Sequence, residues 1–351
     1  MSDPSFETAG SSSADPSDEA QTVDRPDRLR RTLIGVGASV VLVLALVGVA
    51  GALLIRRYDN AVTRDSLLAP GARMPKTSTN GPLNLLLIGS DFRSSNPDAG
   101  QRSDTIILAH VPRTTNRVFL ISVPRDLLVN IPPMPSIGFD GDTTKINAAF
   151  DYGRGGAGGT QLVSATLTDL VGVRFDGAAV IDFPGLRQAV DILGGVQLCL
   201  DDRIVSSGKV FDPGCHLMQA PDVLDYLRQR DFPDGDFARQ RHQQQFLKAF
   251  LDRARSTGAA ANPVKADALI RAVAGTMTVD TGDTSLSDFV FALRDLSSEG
   301  VIGIKIPSSS DMIDDVSYVV ASQDAQGLFD AIRFDSVEHW AHNNSDWVNK
   351  I

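Results

Sequence analysis

The sequence predicts an α/β domain whose central sheet is covered by helices on both faces, preceded by one transmembrane helix. Three observations lead to this fold class. Short apolar runs alternate with amphipathic segments along most of the chain. These runs are apolar throughout, which is typical of strands that are buried on both sides. A single uncharged segment of 24 residues precedes all of them.

The uncharged segment, 32–55, is long enough to cross a bilayer. As a helix it would span roughly 36 Å, against a hydrocarbon core of about 30 Å. A buried core helix and a cleaved signal peptide are the alternatives. The apolar region of a signal peptide is about 7–15 residues long and precedes small residues, whereas Arg56 and Arg57 follow here. We therefore expect an uncleaved, single-pass anchor in the cell membrane.

Residues 1–31 are predicted to form a disordered cytoplasmic tail. The segment 1–24 contains six Ser and six acidic residues but only one aromatic residue, Phe6. Such a segment cannot bury enough apolar surface to offset its ordering entropy. A short tail is easily retained in the cytoplasm, and large domains are translocated largely regardless of charge. We expect the N-terminus inside and the chain from residue 56 onward to be extracytoplasmic.

Beyond the anchor, the pattern divides the chain into a linker at 56–81, a folded domain at 82–335 and a C-terminal tail at 336–351. Proline and glycine punctuate the linker, and the apolar runs begin only at Leu83. The predicted strands are 83–88, 105–110, 118–123, 178–183, 196–200 and 301–306. The predicted helices are 160–171, 184–193, 221–230 and 236–255.

Charge and cysteine content exclude several classes of protein. The formal net charge of −10 argues against a nucleic-acid binder, which normally carries excess positive charge. Two cysteines exclude a four-cysteine metal site and a disulfide-dense scaffold. Cys199 and Cys215 would form a disulfide in an oxidising compartment or remain as two buried thiols.

Polar residues gather where the first three strands begin and end. Asp91 follows the first strand, Arg102 and Asp104 flank the start of the second, and Arg125 follows the third. Ligands of α/β sheets bind at such strand ends, and Mg²⁺ favours one or two carboxylates together with phosphate oxygens. The alternative is that Asp91 and Asp104 only cap turns.

A local excess of arginine lies within 228–255, where six Arg and one Lys face four Asp. One guanidinium group can donate two parallel hydrogen bonds to phosphate oxygens, so Arg228, Arg230 and Arg241 suit a diphosphate. On a helix that begins near Asp236, Arg241 and Gln244 share one face. A solvated helix face is the alternative, but Lys, the usual solvating cation, is rare in this chain.

The glycine-rich segment 153–159 precedes a predicted helix and has the composition of a phosphate-binding loop. It lacks the Lys-Ser/Thr pair of a P-loop. We therefore expect a flexible loop.

An ordered set of motifs resembles the LytR-CpsA-Psr family of cell-wall glycopolymer ligases, over about residues 82–335. The matching blocks are Asn84–Asp91, Arg102–Thr105, Ser122–Asp126, Lys145–Ala149, Asp182–Phe183, Leu193–Val196, Tyr226–Arg230, Asp234–Phe237, Arg241 and Gln243–Gln245. The resemblance implies an α-β-α domain with a central mixed sheet that holds a polyprenyl diphosphate-linked glycan in an apolar tunnel.

The resemblance also assigns roles to residues. Asp91 and Asp104 match the carboxylates that hold Mg²⁺ or Mn²⁺, and Arg125 joins them as a catalytic residue. The diphosphate contacts implied by the match are Arg102, Arg125, Lys145, Arg228, Arg230 and Gln244. The implied reaction is phosphoryl transfer of the glycan to a peptidoglycan hydroxyl, with release of polyprenyl phosphate.

Some features remain open at this level. A non-catalytic lipid-diphosphate scaffold and a diphosphate hydrolase are the alternative functions. The stretches 130–144 and 200–216 depart from the family pattern, so acceptor specificity is open. The Cys199/Cys215 pair resembles actinobacterial members, which implies a disulfide and favours an arabinogalactan-like polymer over teichoic acid.

Overall fold

The computed structural model describes residues 63–75, 81–90, 103–113, 116–206, 208–229, 232, 235–256, 277–284, 288, 296 and 298–351. The side chains of Asp104, Asp182 and Phe183 are not described. All these residues belong to one structural unit, Ile55–Ile351. The predicted tail, 1–31, and the predicted anchor, 32–55, lie outside the described residues. Among the described helices, none has the length and apolar character needed to cross a membrane.

A mixed sheet of eight strands lies at the centre of the described region, in the order β1-β12-β7-β2-β3-β4-β13-β16. The pairs β1–β12, β2–β7 and β4–β13 are parallel and the other neighbours are antiparallel. The strands are β1 Thr63–Arg64, β2 Leu83–Ser90, β3 Ser103–Val111, β4 Val118–Ser122, β7 Gly177–Asp182, β12 Met277–Asp280, β13 Val301–Lys305 and β16 Val348–Asn349.

Seven described helices and four two-stranded ribbons surround this sheet. The helices are α1 Ile146–Tyr152, α2 Gly156–Val171, α3 Phe183–Ile192, α4 Ala220–Arg228, α5 Asp236–Ser256, α6 Ala325–Arg333 and α7 Val337–Asn343. The ribbons pair β5 Leu128–Ile131 with β6 Asp142–Lys145, β8 Val196–Leu200 with β11 Gly214–Met218, β9 Ile204–Ser206 with β10 Lys209–Phe211, and β14 Ser308–Ile313 with β15 Val316–Ala321.

Both faces of the sheet are covered, as the continuous apolar strands predicted. Successive residues of a strand point to opposite faces, and in β3 they enter two different cores. Ile106 and Leu108 pack with α1, α2, α6 and α7 in one core. Ile107 and Ala109 lie in the other, against which Leu247 of α5 packs. The predicted central mixed sheet with an α/β fold is thereby confirmed.

Of the eight ribbon strands, β8 matches the predicted strand 196–200, although it lies in a ribbon and not in the central sheet, and the other seven were not predicted. Each of the ribbon strands has only three to six residues, and their outer faces are exposed, so they lack the continuous apolar pattern of the central strands. The β14–β15 ribbon turns through Asp314 and Asp315, both with positive φ. Asp tolerates this left-handed conformation better than most residues.

The segments predicted as linker and tail contribute to the core. Leu67 and Leu68, within the predicted linker 56–81, are each 1% exposed. In the predicted tail 336–351, Val337 of α7 is buried and β16 pairs with β13. Folded structure therefore extends on both sides of 82–335. These segments were predicted as linker and tail because their apolar residues are isolated between short polar stretches.

The glycine-rich segment 153–159 is a tight junction between α1 and α2. A Cβ on Gly159 would lie 2.5 Å from the carbonyl oxygen of Phe150, and one on Gly153 would lie 2.5 Å from that of Gly158. Contacts this short are excluded by sterics. The glycines here allow two backbones to approach, and the expected flexible loop is instead a packed corner.

The two cysteines are joined by a disulfide. Cys199 on β8 lies opposite Cys215 on β11. Both strands pack in the same hydrophobic core as α4 and α5. A cross-link between neighbouring strands restricts the unfolded chain by closing a loop.

Asp280, at the end of β12, ties the predicted linker to the sheet. Its Oδ2 accepts hydrogen bonds from the amides of Leu67 and Leu68 at 2.8 and 3.0 Å and from the guanidinium of Arg73. Its Oδ1 accepts from the amide of Gly282 at 3.1 Å. Burial alone would raise the pKa of this carboxyl, but the Arg73 and backbone donors outweigh it and lower the pKa.

We expect Asp280→Asn to lower the free energy of unfolding by about 2–4 kcal/mol, because an amide cannot accept all these bonds and one of its N–H groups would face donors. Urea denaturation followed by tryptophan fluorescence measures this. Asp283→Asn, at an exposed position three residues beyond β12, is the control and should change little.

The difference between wild type and Asp280→Asn should shrink as the pH falls below about 3.8. A carboxyl with a lowered pKa contributes stability above its unfolded pKa, and that contribution disappears as it is protonated. A difference that is independent of pH would contradict the ionised role of Asp280.

Candidate functional site

An apolar pocket lies between the sheet and helices α3, α4 and α5. It encloses about 800 Å³, counting its open mouth. Strand residues form its floor and helix residues its walls. The lining residues are Leu87, Ile88, Gly89, Thr105, Ile107, Ile181, Leu186, Leu227, Arg228, Arg239, Gln243, Phe246 and Leu247. Most of these side chains are aliphatic or aromatic, so the pocket suits a hydrocarbon chain.

One part of this pocket is cationic. Arg228 ends α4, and Arg239 and Gln243 lie one helical turn apart on α5, so all three side chains reach the same wall. Arg239 is only 2% exposed, and its Nη2 lies 2.5 Å from Oδ1 of Asp236. A buried guanidinium requires such a counter-charge because an isolated charge is costly to remove from water.

Asp236 connects this wall to the end of β4. The same Oδ1 that binds Arg239 lies 3.4 Å from Nε of Arg125. Nε of Arg125 also lies 3.4 Å from Oδ2 of Asp126, whose Oδ1 is 3.1 Å from Nζ of Lys145. We call the row Arg239, Asp236, Arg125, Asp126 and Lys145 the charged strip. It begins in the apolar pocket and leads away from it.

The charged strip with Arg228 carries a positive excess. Among the described residues, the strip and Arg228 together contribute four cations, Arg125, Lys145, Arg228 and Arg239, and two carboxylates, Asp126 and Asp236. At neutral pH this leaves a formal charge of about +2, since a carboxylate and a guanidinium cancel. An apolar pocket with a cationic end is chemically suited to an amphiphile with an anionic head group.

Gln244 has a different environment from the one expected. Its side chain is 0% exposed. Its Nε2 donates to the carbonyl of Leu120 at 2.8 Å and to that of Ile304 at 3.0 Å, and lies 2.8 Å from Oγ of Ser122. Its Oε1 lies 2.1 Å from where a Cβ on Gly303 would be, so only glycine leaves room there. Gln244 therefore holds α5 against β4 and β13. Its neighbour Gln243 lines the pocket.

Arg241 also points elsewhere. Its Nε lies 3.6 Å from Oδ2 of Asp201, which follows β8, and it is absent from the described pocket lining. His242 lies beside it, stacked on Tyr226 at 4.2 Å. Burial, followed by the charge of Arg241, lowers the pKa of His242 to about 4, so His242 is neutral at physiological pH and adds no cation.

The described residues include the strands that lead to the two predicted metal carboxylates. Asp91, Arg102 and Arg230 lie outside the described residues, and only the backbone of Asp104 is described. Ser90, which immediately precedes Asp91 in the sequence, pairs with Ser103 across β2 and β3, so Ser90 and the backbone of Asp104 lie at the same edge of the sheet, where these strands end. Gly89 and Thr105, at this edge, line the pocket. Within the described residues, no group of three His, Cys, Asp or Glu forms a metal site.

Arg239, Asp236 and Gln243 lie within the arginine-rich segment 228–255 but were not among the residues predicted to contact the diphosphate. The sequence spacing indicates that these residues share a helix face with pocket residues. Arg239, Gln243, Phe246 and Leu247 recur at i, i+4, i+7 and i+8 on one face. Phe246 and Leu247 are apolar and line the pocket, so the polar residues in register with them face the same apolar space.

Comparison with known proteins identifies the family. The model described as the LytR_cpsA_psr family matches residues 53–332. The probable cell wall biosynthesis protein LcpB of Corynebacterium glutamicum is 32% identical over 268 residues, which cover 71% of this chain and 61% of that protein. The cell wall biosynthesis protein LcpA of the same organism is 27% identical over 315 residues, which cover 78% of this chain and 60% of that protein. The chain thus spans about three-fifths of the length of these two relatives.

A solved structure of TagT bound to LI-WTA has a TM-score of 0.58 and 21% identity, and the match covers 78% of this chain and 98% of TagT. At this identity the likeness shows the fold alone. The family model, by contrast, spans most of the chain. The chain therefore belongs to the LytR_cpsA_psr family, as its motifs predicted, and is similar to actinobacterial members.

Proposed function

We propose that this protein is a phosphotransferase that moves a glycopolymer from a polyprenyl diphosphate carrier to peptidoglycan. The observation that carries the proposal is the apolar pocket with a cationic end. A polyprenyl chain is a long hydrocarbon, which the aliphatic and aromatic lining suits. A diphosphate is its anionic head group, and the net positive charge of the strip with Arg228 suits that group.

The charged strip would stabilise the transition state of phosphoryl transfer. A hydroxyl oxygen of the acceptor forms a bond to the phosphorus that bears the glycan, and the bond from this phosphorus to the bridging oxygen breaks. Polyprenyl phosphate leaves and the hydroxyl proton is released. Arg125 and Arg239 are held in place by Asp236, so they can neutralise charge on phosphate oxygens without reorganising.

We infer that Asp91 and Asp104 hold Mg²⁺ or Mn²⁺ beside the diphosphate. Two carboxylates are the protein ligands that Mg²⁺ commonly uses with phosphate oxygens. The pairing of Ser90 with Ser103 supports this assignment. Asp91 follows Ser90 and Asp104 follows Ser103 in the sequence, and the paired serines lie at the strand ends near the pocket. When bound, the ion would neutralise charge that develops on the diphosphate.

The names of the relatives support the transfer reaction. LcpB and LcpA of Corynebacterium glutamicum are named as cell wall biosynthesis proteins. A further relative, from Oceanobacillus iheyensis, is named polyisoprenyl-teichoic acid–peptidoglycan teichoic acid transferase TagU and is 32% identical over 176 residues, which cover 50% of this chain and 52% of that protein. For this chain we propose an arabinogalactan-like polymer as the glycan.

The same proposal includes the location of the reaction. An anchor at 32–55 would hold the domain at the outer surface of the cell membrane, where a lipid-linked glycan and peptidoglycan are both within reach. The uncharged length of that segment supports this.

We expect Arg239→Met to weaken binding of geranylgeranyl diphosphate by about tenfold or more, because a charge-assisted bond to phosphate is lost. Calorimetry on the full chain in detergent measures this affinity. Arg228→Met should act in the same direction. Arg241→Met is the matched control on the same helix, since Arg241 pairs with Asp201 away from the pocket. Equal affinity in all three variants would refute the cationic pocket as the diphosphate site.

We expect Asp104→Asn to abolish metal-dependent turnover while the protein stays folded. The assay supplies a polyprenyl diphosphate-linked glycan, Mg²⁺ and peptidoglycan fragments to the full chain. Asp169→Asn, on the exposed surface of α2, is the control. Glycan joined to peptidoglycan supports the transferase. Water as the only acceptor would indicate a hydrolase, and tight binding without turnover would indicate a scaffold.

A further inference from the structure

Three aromatic side chains form a partly exposed surface near the charged strip. The rings of Phe139 and Tyr152 lie 5.0 Å apart and are tilted by 30°. Tyr152 is 39% exposed, and Tyr318 is half-buried. We call Phe139, Tyr152 and Tyr318 the aromatic surface. Rings that only filled the core would be buried, and these keep part of their area in solvent.

Separate elements bring the three rings together. Phe139 lies between β5 and β6, Tyr152 ends α1 and Tyr318 lies on β15. The β15 strand is held beside the end of β4, because the amide of Val319 donates to the carbonyl of Asp126 at 2.9 Å. Both tyrosines also contact β6, because the Tyr152 hydroxyl donates to Asp142 and the Tyr318 ring lies 5.6 Å from Nζ of Lys145.

The charged strip ends at this surface. Nζ of Lys145 lies 5.6 Å from the centre of the Tyr318 ring and 3.1 Å from Asp126. Asp126 in turn lies 3.4 Å from Arg125. The order of contacts is therefore apolar pocket, Arg239, Asp236, Arg125, Asp126, Lys145 and aromatic surface.

The geometry of in-line phosphoryl transfer indicates where the leaving group and the attacking hydroxyl lie along this order of contacts. The attacking and leaving oxygens lie on opposite sides of the phosphorus. The leaving group, polyprenyl phosphate, carries the hydrocarbon chain and so departs toward the apolar pocket. The attacking hydroxyl must then approach from the other end of the strip, which is the aromatic surface.

The chemistry of this surface is that of a carbohydrate site. Aromatic faces pack against the apolar C–H faces of sugar rings, while carboxylates and hydroxyls bond to sugar hydroxyls. The Tyr152 hydroxyl donates to Oδ2 of Asp142 at 2.9 Å. This hydrogen bond, followed by burial, raises the pKa of Tyr152, so the ring stays neutral. Asp140, Asp142 and Asp151 are exposed around it.

The acidic rim disfavours other occupants. Nucleic acid and anionic lipid head groups would be repelled by three exposed carboxylates. A glycan that presents hydroxyl donors is not repelled, and Lys145 is placed to meet its acceptor oxygens. Phe139 also falls in 130–144, the stretch that departs from the family pattern and left acceptor specificity open.

We propose that Phe139, Tyr152 and Tyr318 form the subsite that binds the acceptor glycan strand of peptidoglycan. The inference rests on the proposed transfer reaction and names the place of its second substrate. One sugar ring packs on Tyr152 and Phe139. The neighbouring ring lies near Tyr318 and Lys145, with its hydroxyl toward Arg125.

The test measures direct binding of muramidase-released peptidoglycan oligosaccharides to the full chain in detergent, by calorimetry and saturation-transfer NMR. Tyr152→Ala and Tyr318→Ala should each weaken binding by about fivefold or more, the scale of a lost ring contact. Tyr152→Phe should bind within about twofold of wild type because it keeps the ring. Phe334→Ala removes a ring that is 77% exposed outside this surface and should have no effect.

Binding of geranylgeranyl diphosphate is measured on the same variants and should stay unchanged, which separates the two substrates. Wild-type affinity in both alanine variants would overturn the subsite, as would a wild-type protein that binds no oligosaccharide. A loss of affinity for the lipid-linked glycan alone would assign the rings to the donor and also overturn it. Failure of the proposed function is seen separately, as absence of transfer by the wild type.

Discussion

The ion pairs of Asp236 with Arg239 and Arg125 are the constraint on which the rest of the site depends. One carboxylate oxygen contacts both guanidinium groups, one from α5 and one from the end of β4. A guanidinium that is 2% exposed could not be kept beside an apolar pocket without such a partner. The charged strip still keeps a positive excess, because its three cations face two carboxylates. The same contact thus permits burial and preserves affinity for an anion.

The position of α5 is set by a second polar contact, on a different face of the helix. Gln244 bonds to backbone carbonyls of β4 and β13, and Gly303 leaves the space that its amide needs. Its Oε1 also accepts a hydrogen bond from Nδ2 of Asn349 at 2.7 Å, so loss of this buried amide would remove several hydrogen bonds. The helix is therefore fixed against the sheet at one turn, and Gln243 and Arg239 are presented to the pocket from the adjoining face.

The aromatic surface shows how peripheral segments complete the site. Phe139, Tyr152 and Tyr318 come from a loop, a helix end and a ribbon, none of which belongs to the central sheet. Loops carried by a rigid scaffold can vary without loss of stability. In the proposed reaction the sheet and α5 hold the donor, which the family motifs describe, and the variable periphery meets the acceptor.

The sequence by itself determined the mixed α/β domain, because continuous apolar strands can be buried only between two layers of helices. It also determined the family, because the motifs occur along the chain in the order that the family shows. The tertiary structure alone decided that Gln244 faces the sheet and Gln243 the pocket. Neighbouring residues of a helix differ by about 100° in direction, and polarity does not reveal which of them meets the sheet. The sequence did not predict the aromatic surface for a similar reason. Its rings are far apart along the chain, and only the packing of the folded chain places them near each other.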